Sequence, residues 1–380
     1  MAFILNEEQQ EIIQLIDDFF TREVDPHLQE WDATSEPDIN VIRKAMELGF
    51  HKLDIPEEHG GSGLDLYTMS AAIECMGRHD IGFASGFTTT TAPWKIVLGM
   101  GTDEQKTWAD RVFGEENKIG CFCLTEPSGG SDASAMRTTA VRDGDDYIIN
   151  GTKCFITSAE YGEIFAVMAV TDKTKGAKGI SCFMVDRNLP GVQVGKHEDK
   201  LGFRTSYTNE IAFQDVRVNK KWMVGPEGLG FIIAMNTLDG ARLTTGTMAL
   251  GLAQRALEES VKYAKERVAF GKPIIAKQGI AFMLADMEAR VQVTRSMIEH
   301  TVQLIESGKP FIKEASICKM IASEYAMQNA IDAVQILGGY GCCKEYPVEK
   351  LLRDAKVLCI VEGTTQIQKD VIARHLAKEY

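Results

Sequence analysis

The sequence lacks a long apolar run, an excess of positive charge and any pair of cysteines at Cys-x-x-Cys spacing. Its first apolar stretch, Ala2 to Leu5, is far shorter than a signal peptide core or a membrane span, and no later stretch reaches spanning length. Lysine and arginine number 41 against 54 aspartates and glutamates, for a formal net charge of -13. Because nucleic-acid binding requires clustered cations, this composition argues against a nucleic-acid partner.

The nine cysteines are an odd number without paired spacing, which favours reduced thiols and a cytoplasmic location over a disulfide framework. Cys342 and Cys343 are adjacent, and we expect both to be reduced because a disulfide between neighbours is strained. No metal site is predicted. What remains is a globular chain of 380 residues, 44% hydrophobic, long enough for two or three units around a large core.

Helical periodicity dominates the first part of the chain. Ile12, Ile16 and Phe19 recur at helical spacing after Asn6, which suits an N-cap and is followed by two glutamates. A turn-rich stretch from Pro56 to Gly63 separates two helical patterns, Val41 to Leu48 and Leu66 to Gly77, and a further helix is expected from Phe83 to Trp94. Residues 1–118 are therefore predicted to form an N-terminal α-helical domain.

The pattern changes at Ile119 to short β-rich runs, and changes again after Gly225 and Pro226 to long helical stretches. The β-rich runs read CFCLTE, DYIING, KCFIT, IFAVMAV, ISCFMV and NEIAF. They predict a central antiparallel β domain over residues 119–225. Residues 226–380 are predicted to form a C-terminal domain like a four-helix bundle, which makes the fold class a multi-domain α+β protein.

The segment LTEPSGGSD, from Leu124 to Asp132, runs from a predicted strand into a glycine-rich loop. Such a loop lets backbone N–H groups approach a phosphate or a ring edge closely. A tight turn between two strands explains the same composition equally well. The glycines alone leave both interpretations open.

Five motifs in order resemble the acyl-CoA dehydrogenase family. They read LTEPSGGSD, GTKCFITSA, ERVAFGKPI, QILGGYG and VEGTTQIQ, and they span essentially the whole chain. The resemblance implies FAD as cofactor, an acyl-CoA substrate, an electron-transferring flavoprotein as acceptor and a homotetramer. The implied reaction is the removal of two hydrogens from the carbon pair beside the thioester.

The resemblance also implies where the flavin is contacted. The threonine of the TEP motif would meet the pyrimidine end of the ring, and the FIT motif would place an aromatic ring and a hydroxyl beside the flavin. The flavin contacts implied in these motifs and in the final loop are Phe122, Leu124, Thr125, Gly130, Ser131, Phe155, Thr157, Thr364 and Gln366. Without the other motifs, the FIT segment would be interpreted as a half-buried strand with its phenylalanine in the core.

A second set of residues is implied to reach the FAD bound largely to a neighbouring subunit. This set consists of Arg267, Phe270, Gln278, Gln335, Gly338 and Gly339. An arginine offers a forked donor that suits a pyrophosphate. The two glycines could also simply end a helix. Ala269 stands where typical members have glutamine, which puts the detailed geometry of one polar contact in doubt.

Glu362 matches the glutamate that abstracts a proton from the alpha carbon in this family. It follows an apolar run and precedes Gly363, so desolvation by an acyl chain is expected to raise its pKa towards the range of a base. The residues implied to bind the substrate are Ser131, Asp239, Arg242, Gly363 and Arg374. Asp239 and Arg242 could also be an ordinary helical ion pair.

Two departures from the family pattern bear on the acyl group. Val361 replaces the tyrosine that most relatives carry before the glutamate, and four threonines, 88–91, lie in the predicted floor of the cavity. They predict a substrate that is short, branched, cyclic or polar at its far end. The alternatives are an enoyl-CoA reductase, other flavin chemistry on this scaffold and a non-catalytic homologue, the last disfavoured by the retained Glu362, Thr157 and Ser131.

Overall fold

The computed structural model describes residues 3–380. Its first part is helical, as predicted. The helices are α1 (Glu7–Glu23), α2 (Leu28–Thr34), α3 (Ile39–Glu47), α4 (Leu66–His79), α5 (Ile81–Thr88), α6 (Ala92–Met100) and α7 (Asp103–Ala109). Asn6 is the N-cap of α1: its side chain accepts from the Gln9 N–H, and the Gln9 side chain accepts from the Asn6 N–H, both at 2.9 Å.

The helix predicted from Phe83 to Trp94 is interrupted. Helix α5 ends at Thr88, a 3-10 turn covers Thr89–Thr91, and α6 begins at Ala92. Threonine hydroxyls compete with helical hydrogen bonding, and here the Thr90 hydroxyl donates to the Phe87 carbonyl at 2.8 Å. The run of four threonines is therefore a break between two helices.

The middle part is a sheet. Its strands are β1 (Gly120–Cys123), β2 (Thr139–Asp143), β3 (Asp146–Thr157), β4 (Ile164–Val170), β5 (Ile180–Asp186), β6 (Val192–His197), β7 (Thr208–Asn219) and β8 (Met223–Val224). They lie in the order β6, β7, β3, β2, β4, β5, β8, and β1 pairs with β4. Most neighbours are antiparallel as predicted, but β1 and β2 run parallel to β4. Residue patterns within one strand cannot indicate this, because neighbours are chosen by the connections between strands.

The last part contains long helices and a small hairpin. The helices are α8 (Gly230–Glu266), α9 (Gln278–Glu306), α10 (Ile312–Leu337), α11 (Val348–Leu358) and α12 (Thr365–Glu379), and the hairpin is β9 (Val268–Ala269) with β10 (Lys272–Pro273). Helix α8 has 37 residues and packs against α4, α9 and α10. It thereby joins the two helical parts in one hydrophobic core and forms a wall beside the sheet.

All nine cysteines are free thiols, in agreement with the prediction that Cys342 and Cys343 do not form a disulfide. Within residues 3–380, we find no helix whose length and hydropathy would suffice to cross a bilayer.

Candidate active site

Two of the sequence motifs meet where β1 and β3 end. The Cys154 N–H donates to the Thr125 carbonyl at 3.0 Å, which ties the TEP loop directly to the FIT segment. A side chain at Gly130 would bring its Cβ to 3.3 Å from the Thr125 side chain. These contacts bring Thr125, Gly130 and the end of β3 together, while Ser131 lies exposed on the same loop.

A buried ion pair locks this junction. The Lys153 ammonium, wholly buried, donates to the Leu124 carbonyl at 3.0 Å and to Glu126 Oε1 at 2.8 Å. The Glu126 carboxylate also accepts the backbone N–H groups of Arg137 at 2.6 Å and Thr138 at 2.9 Å. The pair thus holds both motifs and the start of β2 in one arrangement.

The charges of this pair depend on each other. Burial alone would raise the pKa of Glu126, but the Lys153 ammonium and the donors around it outweigh burial and hold the pKa at about 2. Burial lowers the pKa of Lys153, and the Glu126 carboxylate opposes that shift. We take both groups as charged at neutral pH, since the contact is short and both partners have further hydrogen bonds.

The glycine-rich segment is both a loop beside the site and a tight turn. The Gly129 N–H donates to the Glu126 carbonyl at 3.0 Å, and the Glu126 N–H donates back to the Gly129 carbonyl at 3.3 Å. The turn closes the loop and leaves Gly130 and Ser131 accessible. The two interpretations of the composition are therefore compatible.

The FIT segment presents Phe155 outwards. A register shift between β3 and β7 occurs from Lys153 to Ile156, and Phe155 takes a left-handed backbone with φ of 56° and a side chain 62% exposed. Bulges of this kind redirect side chains, and strained φ values persist mainly where function requires them. Thr157 at the strand end is half-buried, and the Ser158 hydroxyl donates to the Gly86 carbonyl at 2.8 Å, which joins the strand end to α5.

Glu362 lies in the loop between α11 and α12. It is half-buried and also left-handed, with φ of 53°, and Gly363 follows with φ of 89°. Thr364 caps α12 by accepting the Ile367 N–H at 3.3 Å. Burial raises the pKa of Glu362, and the cations of Lys319 and Arg242 oppose the shift. Such a group can accept a proton from a weak carbon acid better than an exposed glutamate.

Helix α8 contributes a buried ion pair beside this loop. Arg242 Nη1 lies 2.6 Å from Asp239 Oδ1 and also donates to the Ser316 hydroxyl at 3.2 Å. Burial raises the pKa of Asp239, and the Arg242 guanidinium opposes that shift. Arg242 Nε is buried without a hydrogen-bond partner among residues 3–380. The pair is thus a helical ion pair and also part of the cluster around Glu362.

A third group of residues lies apart, on an exposed face around the end of α8. The Arg267 guanidinium lies 6.0 Å from the centre of the Tyr340 ring, which places the hairpin beside the glycine turn after α10. Phe270 is 93% exposed, with φ of 54°. Gln278, Gln335, Gly338 and Gly339 are exposed as well. Within one chain, this face is separate from the Glu362 cluster.

The remaining predicted contacts are more scattered. Phe122 is half-buried on β1, Leu124 is buried against the helical side of the sheet, and Gln366 is exposed on α12. Arg374 pairs with Asp370 at 2.6 Å, and its side chain is 74% exposed. Its role in binding the substrate stays a prediction, as do the individual roles of the other predicted residues.

Sequence reasoning missed three residues that organise the site: Glu126, Lys153 and Lys319. The first two lie inside motifs that were already singled out, so a charged residue within each motif was the available signal. Lys319 carried no such signal, because it lies within a long helical pattern and meets Gly363 only through packing.

Comparisons with known proteins agree with this architecture along the whole chain. Models of the acyl-CoA dehydrogenase N-terminal, middle and C-terminal domains match residues 6–112, 121–216 and 228–377. The solved butyryl-CoA dehydrogenase of Megasphaera elsdenii is 39% identical, with a TM-score of 0.95 and coverage of 99% of this chain and 100% of that one. A chain in the structure of an electron transferring flavoprotein of Acidaminococcus fermentans is 41% identical, with a TM-score of 0.95 and coverage of 99% of both chains. Acryloyl-CoA reductase (NADH) of Anaerotignum propionicum is 40% identical over 381 residues, covering 100% of this chain and 96% of that one.

The family uses FAD, and the side chains of this protein suit that group. Thr125 and Thr157 offer hydroxyls at the junction of β1 and β3, and Phe155 offers an exposed ring beside them. Arg267 offers a guanidinium that forms no ion pair with a carboxylate among residues 3–380, as a pyrophosphate contact requires. The chain belongs to the acyl-CoA dehydrogenase family and is an FAD-dependent oxidoreductase.

Proposed function

We propose that this protein removes the alpha and beta hydrogens of a short, branched or cyclic acyl-CoA and forms the 2-enoyl-CoA. Electrons would pass on to an electron-transferring flavoprotein. The observation that carries the proposal is the half-buried Glu362 carboxylate, with a raised pKa, held in a left-handed loop beside two cations. Bound FAD supplies the hydride acceptor.

In this proposal Glu362 is the base that takes the proton from the alpha carbon. Its neighbours favour that role, because Lys319 and Arg242 keep the carboxylate available while burial makes it a better proton acceptor. The backbone N–H of Glu362 would donate to the thioester carbonyl and stabilise the charge that develops there. Thr157 and Phe155 would orient the ring to which the beta hydride goes.

The threonine-rich turn after α5 lines a small cavity of about 30 Å³. Its lining includes Phe87, Thr88, Thr91 and Thr244. The other lining residues, among them Phe50, Met69 and Met76, come from the N-terminal helical part, and only Thr244 comes from α8. Because a water molecule needs roughly 10–15 Å³ of such space, the cavity itself is too small for an acyl group. Its threonine hydroxyls are what favours a substrate that is short or polar at its far end.

The proposed substrate class predicts which acyl-CoA bleaches the flavin. In an anaerobic absorption titration, butyryl-, isobutyryl- and cyclohexanecarbonyl-CoA are compared with palmitoyl-CoA. We expect one of the small substrates to reduce the flavin with a specificity at least about tenfold above that of palmitoyl-CoA, since extra methylenes without space in a packed site oppose binding. Greatest specificity for palmitoyl-CoA would contradict the substrate class, and no bleaching by any of them would contradict the reaction.

The acryloyl-CoA reductase relative favours one second candidate, the same chemistry run towards reduction of an enoyl-CoA. The electron donor or acceptor sets the direction. Turnover is therefore measured with acyl-CoA plus an oxidised electron-transferring flavoprotein, and with enoyl-CoA plus NADH and that flavoprotein. The proposed function predicts faster turnover in the first assay.

We further propose a homotetramer in which the exposed face around Arg267 contacts FAD held by a neighbouring subunit. Replacing Arg267 with methionine is expected to weaken FAD retention by about tenfold or more, because a charge-assisted hydrogen bond is lost. Retention is measured as the flavin to protein ratio after dilution and gel filtration. Arg22→Met, on the exposed side of α1, is the control and should retain FAD as the wild type does.

A further inference from the structure

Lys319 lies wholly buried in the middle of α10. Its ammonium donates to the Gly363 carbonyl at 2.9 Å, the one hydrogen bond that this ammonium makes within residues 3–380. A buried ammonium without a carboxylate in direct contact is costly. Gly363, the residue after Glu362, is thus held by a buried ammonium from a different helix, whose desolvation costs free energy.

The loop that Lys319 contacts is strained, and buried side chains hold it through the carbonyls of Glu362 and Gly363. Glu362 and Gly363 are consecutive left-handed residues, with φ of 53° and 89°. The buried amide of Gln368 donates to the Glu362 carbonyl at 3.1 Å and to the Gly363 carbonyl at 3.0 Å. Lys319 donates a third hydrogen bond, to the Gly363 carbonyl. Contacts of this kind are needed to hold a non-glycine residue such as Glu362 in a left-handed conformation.

Lys319 also differs from the other cation near Glu362. The charge of Arg242 is paired with Asp239 at 2.6 Å, whereas Lys319 forms no ion pair within residues 3–380. The groups that face Lys319 are the Cys359 thiol at the end of α11, Glu362 and Arg242, and the groups that face Glu362 are Lys319 and Arg242. The positive charge of Lys319 therefore acts on Glu362 without an ion-pair partner of its own to offset it.

We propose that Lys319 is a positioning residue for the Glu362 loop: it clamps the Gly363 carbonyl in place and keeps Glu362 ionised. This inference rests on the proposed role of Glu362 as the base. Burial lowers the pKa of Lys319 to about 8, so the ammonium is still largely protonated at neutral pH.

Three variants distinguish the effect of the hydrogen bond to Gly363 from the effect of the positive charge of Lys319. Lys319→Gln keeps an N–H donor without the charge, Lys319→Met removes both, and Lys319→Arg keeps the charge. The pKa of Glu362 is measured in each by the infrared band of its protonated carboxyl, assigned by subtraction of the spectrum of Glu362→Gln. We expect this pKa to rise by about one unit or more in the Gln and Met variants and to stay near its wild-type value in the Arg variant, since a nearby opposite charge favours the carboxylate.

The same variants predict a kinetic signature. The rate of flavin reduction should fall at low pH, where Glu362 is protonated. With the acyl-CoA that bleaches the wild type, this fall should occur at higher pH in Lys319→Gln, displaced by as much as the Glu362 pKa measured in the infrared. Substrate affinity should change less than about threefold, because Lys319 itself is wholly buried and is not among the residues proposed to contact the substrate. Lys313→Met, which removes a charge from the exposed start of the same helix, should change neither property.

An unchanged Glu362 pKa in folded Lys319→Gln would overturn the inference, whatever the effect on stability. If Lys319→Met does not fold, the Gln and Arg variants decide by themselves. The infrared measurement needs no substrate. A raised pKa in a protein that no acyl-CoA bleaches would therefore contradict the proposed function alone, and bleaching with an unmoved pKa would contradict this inference alone.

Discussion

Replacing Glu362 with glutamine is expected to slow anaerobic reduction of the flavin by acyl-CoA by between about 10²-fold and 10⁴-fold. The amide has nearly the shape of the carboxylate but cannot accept the alpha proton. The half-buried position and the two cations near it remain. The measurement is single-turnover absorbance in a stopped-flow instrument, with flavin content and thermal unfolding recorded on the same samples.

Glu324→Gln is the matched control. Glu324 lies on α10, exposed, and pairs with Lys369 at 3.3 Å, so its replacement should leave the rate of flavin reduction within about twofold because exposed pairs contribute little. A folded, yellow Glu362→Gln protein that is still reduced at nearly the wild-type rate would contradict the role of Glu362 as base.

Replacing Lys153 with methionine is expected to lower the free energy of unfolding by about 3–5 kcal/mol and to reduce FAD retention. The loss of the ammonium leaves the buried Glu126 carboxylate without its cation and frees the Leu124 carbonyl that Lys153 binds. Both consequences fall on the loop that carries Thr125. Urea unfolding of the protein and its flavin to protein ratio measure the two effects.

Two further variants show whether the pair itself is responsible. Lys220→Met removes an exposed lysine that pairs with Asp145 at 2.7 Å and should cost at most about 1 kcal/mol. Glu126→Gln combined with Lys153→Met should recover part of the lost stability, because no uncompensated charge remains. If the double variant is no more stable than Lys153→Met, the missing charge balance is not the cause.

The same pair predicts an acid dependence. The pKa of Glu126 is about 2 in the folded protein against an ordinary 4.5. Its contribution to stability is therefore complete above pH 4.5 and is lost as the pH falls towards 2. The difference in unfolding free energy between the wild type and Glu126→Gln should therefore shrink as the pH falls from 4.5 towards 2. If that difference stays constant over this pH range, Glu126 is not the group that titrates.

Local residue patterns were sufficient for most of the elements. The spacing of Ile12, Ile16 and Phe19 after Asn6 predicted α1 and its cap, because a helix repeats its buried face every three to four residues. The β-rich runs predicted the strands for a similar reason. The same patterns did not reveal the break at Thr89–Thr91 or the parallel pairing of β1 with β4, which depend on hydroxyl competition and on chain connections.

The residues of the candidate site were likewise only partly predictable from local residue patterns. Glu362, Thr125 and Phe155 could be singled out because they lie in contiguous motifs. Lys153 reaches Glu126 across 27 positions of the sequence, and Lys319 reaches Gly363 across 44. No periodicity predicts that those particular side chains will meet.

By itself the sequence determined the family, the cofactor, the order of helical and β segments and the glutamate proposed as base, because motifs and periodicity are local properties of the chain. Only the tertiary structure decided which charges surround that glutamate, which ion pair joins the TEP and FIT motifs and which buried lysine holds the loop of that glutamate. Burial and the approach of distant helices create these features, and both exist only once the chain has packed.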